Sequence, residues 1–206
     1  MQASQNHIGD TRKKRQRRIR AVLAGGLVLG VGAAVTLAAW NDSEFAQGSF
    51  AAGAFNLVGS TNGTTFTDNP NVDAPASLGF TVDSSNLTPT DVVYAPFAVQ
   101  LDATTTTDAQ ITLTQAATGG TVANLSYSVI QSTAFGCDAT TTGTELVPAA
   151  TPLGSDPATV PTFSLSAGAD AAAGAPAYLC FAVTAGADLA QLQAGTATWQ
   201  LTAASL

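Results

Sequence analysis

Beyond residue 50, apolar side chains recur at every second position in short segments separated by turn residues. In one such segment, Ile111 and Leu113 share one face while Thr112 and Thr114 share the other. A period of two predicts a β-strand with one buried face. The strands predicted in this way are Phe50–Val58, Ser77–Val82, Val92–Leu101, Ala109–Gln115, Leu125–Ser132, Thr162–Ala167, Tyr178–Thr184 and Thr196–Thr202.

About eight short strands with few helix signals predict an all-β fold, either a β-sandwich or a jelly roll. The only helical hint in this part of the chain is Ala187–Gln193. Asn62–Pro75 and the Thr-, Ala- and Pro-rich stretch Ala139–Pro161 lack a strand pattern, and we predict surface loops there. The run Thr104–Thr107 is interpreted as a β-turn or strand edge, with a glycan site as the alternative.

Positive charge is confined to the start of the chain. All seven Lys and Arg residues lie between Arg12 and Arg20, and the only histidine is His7. Thirteen of the fourteen acids follow Asp10, so the side chains beyond residue 38 carry a net charge of −13. Without cationic side chains this part cannot neutralise phosphates, and nucleic acid is therefore not an expected partner.

The basic run 12–20 precedes an uncharged, glycine-containing stretch that ends in small residues. This layout is typical of a cleavable secretory signal. The alternative is a transmembrane anchor, which usually needs about 20 strongly apolar residues. We predict a signal peptide over residues 1–38, with an apolar region at 21–38 and cleavage between Ala38 and Ala39. Contact with a membrane is expected only through the uncleaved signal.

After cleavage, the chain is predicted to consist of an N-terminal arm, residues 39–49, and one β-sandwich domain, residues 50–206. Cys137 and Cys180 are the only two cysteines. An even pair in an exported chain predicts a disulfide, and two buried free thiols are the alternative.

Aromatic residues follow the predicted cleavage point at intervals of five: Trp40, Phe45, Phe50 and Phe55. This period fits neither a helix nor a strand. Two interpretations stay open. The segment is either an arm that simply ends in the first strand, or an arm whose aromatic side chains dock onto a partner.

No catalytic residue is predicted. Nucleophile–histidine systems and zinc hydrolase motifs need histidine side chains, and none follows His7. Paired carboxylates remain available for acid–base chemistry, although sequence spacing does not show that any two converge. Asp68, Asn69, Asn71 and Asp73 share one loop and could supply oxygen ligands to calcium, with solvated loop residues as the alternative. No other cofactor or metal is predicted.

The chain resembles a known family at three places. The run Ala33–Glu44 resembles the signal junction of proteins cut by the SipW-type signal peptidase, and Phe45–Leu57 resembles the first mature strand of that family. The run Leu87–Asp91 resembles its Leu-x-Pro-Gly-Asp turn, with Thr90 in the place of glycine. The most similar branch is that of the actinobacterial alternate signal-mediated exported proteins, which are distant relatives of the camelysin and TasA proteins.

The resemblance implies secretion from a Gram-positive bacterium, a jelly-roll-like sandwich, and subunits that polymerise into fibres of the biofilm matrix. In such fibres the freed N-terminal arm of one subunit adds a strand to the next. Here that arm is Ala39–Ser49, and the aromatic residues Trp40, Phe45 and Phe50 are expected to take part in assembly.

The leading expectation is thus a non-enzymatic structural protein of the cell surface or extracellular matrix. The alternative is an exported adhesin or binding module with cation-stabilised loops. A camelysin-type metalloprotease is less favoured, because the part beyond the signal lacks histidine. Lysine-based pilus chemistry is excluded, since no lysine follows Lys14.

Overall fold

The computed structural model describes residues 13–24, 26, 43–49, 51–80 and 84–206. The chain divides into two units, Met1–Phe50 and Ala51–Leu206. In the first unit, residues 13–24 form a helix, α1, whose apolar residues Ile19, Val22 and Leu23 are exposed. Among the described residues, no helix combines the length and the apolar character that a membrane crossing requires.

The second unit contains eight strands. They are β1 (Leu57–Ser60), β2 (Val92–Leu101), β3 (Ala109–Gly120), β4 (Leu125–Ser132), β5 (Gly143–Pro152), β6 (Thr162–Leu165), β7 (Ala177–Ala185) and β8 (Gly195–Ser205). Five of them form one sheet in the order β1-β2-β7-β4-β5, and three form a second sheet in the order β6-β3-β8. Every neighbouring pair is antiparallel. The predicted all-β sandwich of about eight strands is confirmed.

The chain passes from one sheet to the other after β2, β3, β5, β6 and β7, and only β4 and β5 follow each other within the same sheet beyond β2. This alternation between sheets gives the fold its jelly-roll-like character.

The core lies between the two sheets and follows the alternation of the sequence. Ile111 and Leu113 of β3 are 0% and 1% exposed, and Val129 of β4 and Phe181 of β7 are buried with them. Each large apolar side chain removed from water in this way contributes about 1.5–3 kcal/mol. Because the described residues of this unit contain no cationic side chain, this apolar burial, backbone hydrogen bonds and the disulfide hold the sandwich together.

Four sequence predictions about secondary structure need correction. Within Ala139–Pro161, predicted to be a loop, Gly143–Pro152 forms β5. Residues 77–80 of the predicted strand Ser77–Val82 are not in a strand, although Leu78 and Phe80 pack against the core; residues 81–82 lie outside the described part.

The first strand begins at Leu57, seven residues later than predicted, and before it only Ala54 forms an isolated bridge. The predicted helical segment Ala187–Gln193 consists of turns, in which the Leu189 N–H donates to the Gly186 carbonyl. A run of seven residues with Leu192 at φ 62° cannot sustain a helix, since left-handed backbone breaks the helical ladder.

Candidate functional site

The described part of the predicted arm, residues 43–49, lies in neither a helix nor a strand, and all seven residues are exposed. Phe45 is 97% exposed. The apolar surface of this phenylalanine is therefore in contact with water, and it is available for packing against a partner. The predicted cleavage residues Ala38 and Ala39, and the other two aromatic assembly residues, Trp40 and Phe50, lie outside the described residues.

The chain enters the sandwich unit along the turn between β2 and β3. Ala54 forms a parallel bridge with Thr105, and the Thr106 N–H donates to the Ala54 carbonyl at 3.2 Å. The Asp102 N–H donates to the Asn56 carbonyl at 3.1 Å. Gly53 approaches Thr106 so closely that a Cβ atom at this position would overlap the Thr106 hydroxyl. We call residues 53–56 the arm root.

Asp102 organises this turn through both carboxylate oxygens. Its Oδ2 accepts a hydrogen bond from the Asn56 side-chain amide at 3.0 Å, and its Oδ1 accepts from the backbone N–H groups of Thr104 and Thr105. The hydrogen bond from Asn56, followed by that from the Thr104 hydroxyl, lowers the pKa of Asp102 to about 2. Because these donors favour the ionised form, the carboxylate fixes the arm root to the turn.

The last residue of the chain reaches the same turn. The Leu206 N–H donates to the Asp108 carbonyl at 2.9 Å, and the Thr107 hydroxyl donates to the Leu206 carbonyl at 2.9 Å. The arm root and the C-terminal end of β8 are therefore attached to one connection, residues 102–108. The sequence predicted a turn at Thr104–Thr107 but did not predict that these two segments meet there.

A signal for the Asp102 turn does exist in the sequence, because the tetrapeptide Asp-Ala-Thr-Thr occurs twice. At its second occurrence, Asp138 Oδ1 accepts from the Thr140 N–H at 2.8 Å and from the Thr140 hydroxyl at 2.7 Å, as Asp102 does with Thr104. Hydrogen bonds from Thr140 likewise lower the pKa of Asp138. Only Asp102 also bonds to the arm root.

Cys137 and Cys180 form a disulfide with a Cα–Cα distance of 4.9 Å, as predicted. Cys180 lies on β7, between Pro96 of β2 and Ile130 of β4. Cys137 lies in the loop that joins β4 to β5, so the bond fastens this loop onto the sheet. The nearby rings of Phe135 and Tyr178 meet edge to face at 6.1 Å.

The four residues of the predicted calcium loop are all exposed, and three of them make turn-forming contacts. The Asn69 amide donates to the Thr67 carbonyl, and Asn71 Oδ1 accepts from the Asp73 N–H at 2.9 Å. Among the described residues, no three His, Cys, Asp or Glu side chains come together as a metal site. Calcium binding by Asp68, Asn69, Asn71 and Asp73 stays a prediction.

A shallow groove of about 400 Å³ runs beside β5. It is lined by Thr144, Glu145, Leu146, Pro148, Pro157, Ala158, Thr159, Pro161 and Thr162. This lining holds one carboxylate, whereas acid–base hydrolysis by carboxylates needs two. The groove thus offers no pair of carboxylates for such chemistry.

No protein-family model matches the chain, and no curated protein matches it.

Proposed function

We propose that this is a secreted, non-enzymatic structural protein of the cell surface or extracellular matrix, whose subunits assemble through the N-terminal arm once the signal is removed. The observation that carries the proposal is the exposed, unpaired segment 43–49 with Phe45 97% exposed, joined to a β-sandwich. An extended segment of this kind can add a strand to the sheet of another copy.

The distribution of charge supports the proposed order of events. The basic residues and the histidine all lie ahead of the predicted cleavage point, so cleavage leaves a subunit with thirteen acids and no cationic side chain. The disulfide is compatible with an extracellular location, where thiols are oxidised. We propose a SipW-type signal peptidase as the processing enzyme. N-terminal sequencing of the secreted protein is expected to begin at or near Ala39; a secreted form that keeps residues 12–20 would contradict this step.

Electron microscopy of the secreted protein over a range of concentrations tests the proposed assembly. We expect elongated assemblies that grow with concentration. Mature protein that stays monomeric at every concentration would contradict the proposed assembly.

The proposal includes no catalytic activity. Purified mature protein is expected to leave a casein substrate intact, with or without added zinc. Cleavage that depends on metal and co-purifies with the protein through two chromatographic steps would instead favour a metalloprotease.

A further inference from the structure

Three of the four outer edges of the two sheets are protected against an additional strand. The edge strand β5 contains Pro148 and Pro152, which have no backbone N–H, and Ala150 at φ 65° interrupts it. On the opposite edge, β1 has only four residues, and Gly59 exchanges both backbone hydrogen bonds with Thr67 at 2.9 and 2.8 Å.

In the three-stranded sheet, β6 is also short, with four residues directly after Pro161. Short edge strands and nearby prolines are the usual devices that prevent strand addition.

The edge formed by β8 has none of these devices. It is eleven residues long, Gly195–Ser205, with no proline and no charged side chain. Within the described part of the chain, β3 is its only strand partner. Because alternate residues of an antiparallel edge strand direct their N–H and C=O groups outward, the side of β8 away from β3 carries a row of backbone groups that no other described strand pairs with.

The inner face of β8 is also incompletely covered. Trp199, Leu201 and Ala203 pack against the core but are only partly buried. The β3 partners of Leu201 and Ala203 are much better covered, since Leu113 and Ile111 are 1% and 0% exposed. Apolar surface therefore remains in water along this edge, and an added strand would cover it.

We propose that β8 is the edge on which a second copy of this chain adds its N-terminal arm, with Phe45 packing beside Trp199 and Leu201. This inference rests on the proposed function and names the acceptor that it requires. The arm Ala39–Ser49 and β8 have the same length, eleven residues, or about 35 Å when extended. The arm can thus cover the whole edge.

Charge favours the arm over a second β8 as the occupant. Eleven acids lie in Ala51–Leu206, so two sandwich units joined edge to edge would bring their negative charges together. The acids of the arm, Asp42 and Glu44, lie near its start, and residues 45–49 are uncharged. Pairing the arm with the uncharged edge therefore brings only these two acids to β8.

Photo-crosslinking between differently labelled copies tests the acceptor directly. Mature protein with Phe45 replaced by a benzophenone-bearing phenylalanine is mixed with unmodified ¹⁵N-labelled protein, assembled and illuminated. We expect crosslinks from residue 45 of the ¹⁴N chain to ¹⁵N peptides from residues 195–205. The same probe at the exposed Gln47 serves if the replacement at Phe45 blocks assembly.

The outcomes separate this inference from the proposed function. Assemblies whose crosslinks fall outside 195–205, or only within one chain, would overturn the β8 acceptor and leave assembly standing. Protein that never assembles would overturn both.

A matched pair of threonine substitutions gives an independent readout. Thr202→Asp adds a negative charge to the exposed face of β8, and Thr144→Asp adds the same charge to the exposed edge strand β5. We expect Thr202→Asp to raise the concentration needed for half-assembly about tenfold, since it places like charges along the pairing edge. We expect Thr144→Asp to change it less than twofold. Equal effects of the two variants would contradict the assignment of β8.

Discussion

The disulfide between Cys137 and Cys180 joins the β4–β5 loop to β7, the central strand of the five-stranded sheet. The two residues are 43 positions apart in the sequence, so the bond closes a long loop in the unfolded chain. Closing a loop of this length removes conformational entropy from the unfolded state. The bond is the only covalent cross-link between cysteines, since the chain contains just these two.

Removal of this bond is the first prediction. The double variant Cys137→Ala/Cys180→Ala should lower the free energy of unfolding by about 3–4 kcal/mol, measured by urea denaturation. Reduction of the wild-type protein should lower it by a similar amount, which controls for the changed side chains. An unfolding midpoint unaffected by either treatment would show that the bond does not stabilise the sandwich.

Thr90 carries the second prediction, because its φ of 74° lies in the left-handed region that favours glycine. Its N–H donates to the Ala185 carbonyl at 2.9 Å, and Asp91 closes the turn by accepting from the Thr88 N–H. Thr90→Gly should therefore raise the free energy of unfolding by about 0.5–1 kcal/mol, as relief of backbone strain exceeds the entropy cost of glycine.

Thr121→Gly is the matched control, because Thr121 is an exposed loop residue without a positive φ. It should lower the free energy of unfolding. Stabilisation by both variants, or by neither, would contradict strain at Thr90.

The third prediction concerns pH. The folded-state pKa of Asp102, about 2, lies below its ordinary value of 3.8, so its stabilising contribution is present above pH 4 and is lost as the pH falls through 2. Asp102→Asn, which resembles the protonated acid, should lower the melting temperature by about 3 °C at pH 6. The difference from the wild type should shrink between pH 4 and pH 2.

Asp138→Asn separates the turn from the arm root. It changes the second Asp-Ala-Thr-Thr turn, which has the same contacts between its Asp and Thr residues but no hydrogen bond to Asn56. Hydrogen exchange of residues 53–56 should accelerate in Asp102→Asn and stay unchanged in Asp138→Asn. Equal exchange in the two variants would mean that Asp102 does not hold the arm root.

The fourth prediction follows from net charge. The proposed mature subunit, residues 39–206, would carry thirteen acids and no cationic side chain, so such subunits are expected to repel one another at low ionic strength. Assembly, followed by light scattering, should strengthen when salt rises from 20 to about 200 mM, a range over which the screening length falls severalfold. Assembly that weakens over this range would point to attraction between unlike charges and contradict the account.

Much of the fold could be predicted from the sequence because burial imposes alternation. The bounds of β2 and β4 agree with the prediction, and both strands have neighbours on two sides in the sheet. The strand β5 was not predicted because it lies at an edge, where only Val147 and Thr151 are buried and no clear alternation results. Its two prolines are also typical of loops. The alternation at Leu78 and Phe80 arises because both side chains pack against the core, although residues 77–80 are not in a strand.

The candidate assembly surface was less predictable. The spacing of Trp40, Phe45 and Phe50 left two interpretations of the arm open, and of these residues only Phe45 lies in the described part, where it is exposed. The acceptor edge was not predicted, because the freedom of an edge depends on which strands pair, a long-range property that local sequence does not encode. The sequence of β8 is typical of any half-buried strand, and only the strand order β6-β3-β8 shows that it lies at an edge of its sheet.

The central claim, that the arm drives assembly, is tested most directly by comparing two chains by sedimentation velocity at the same concentrations and salt. One chain begins at Ala39 and the other at Phe50, so they differ only in the arm. The account predicts concentration-dependent assembly of the longer chain and a monomeric shorter chain with an unchanged melting temperature. Equal assembly of both chains, or two monomers at all concentrations, would contradict it.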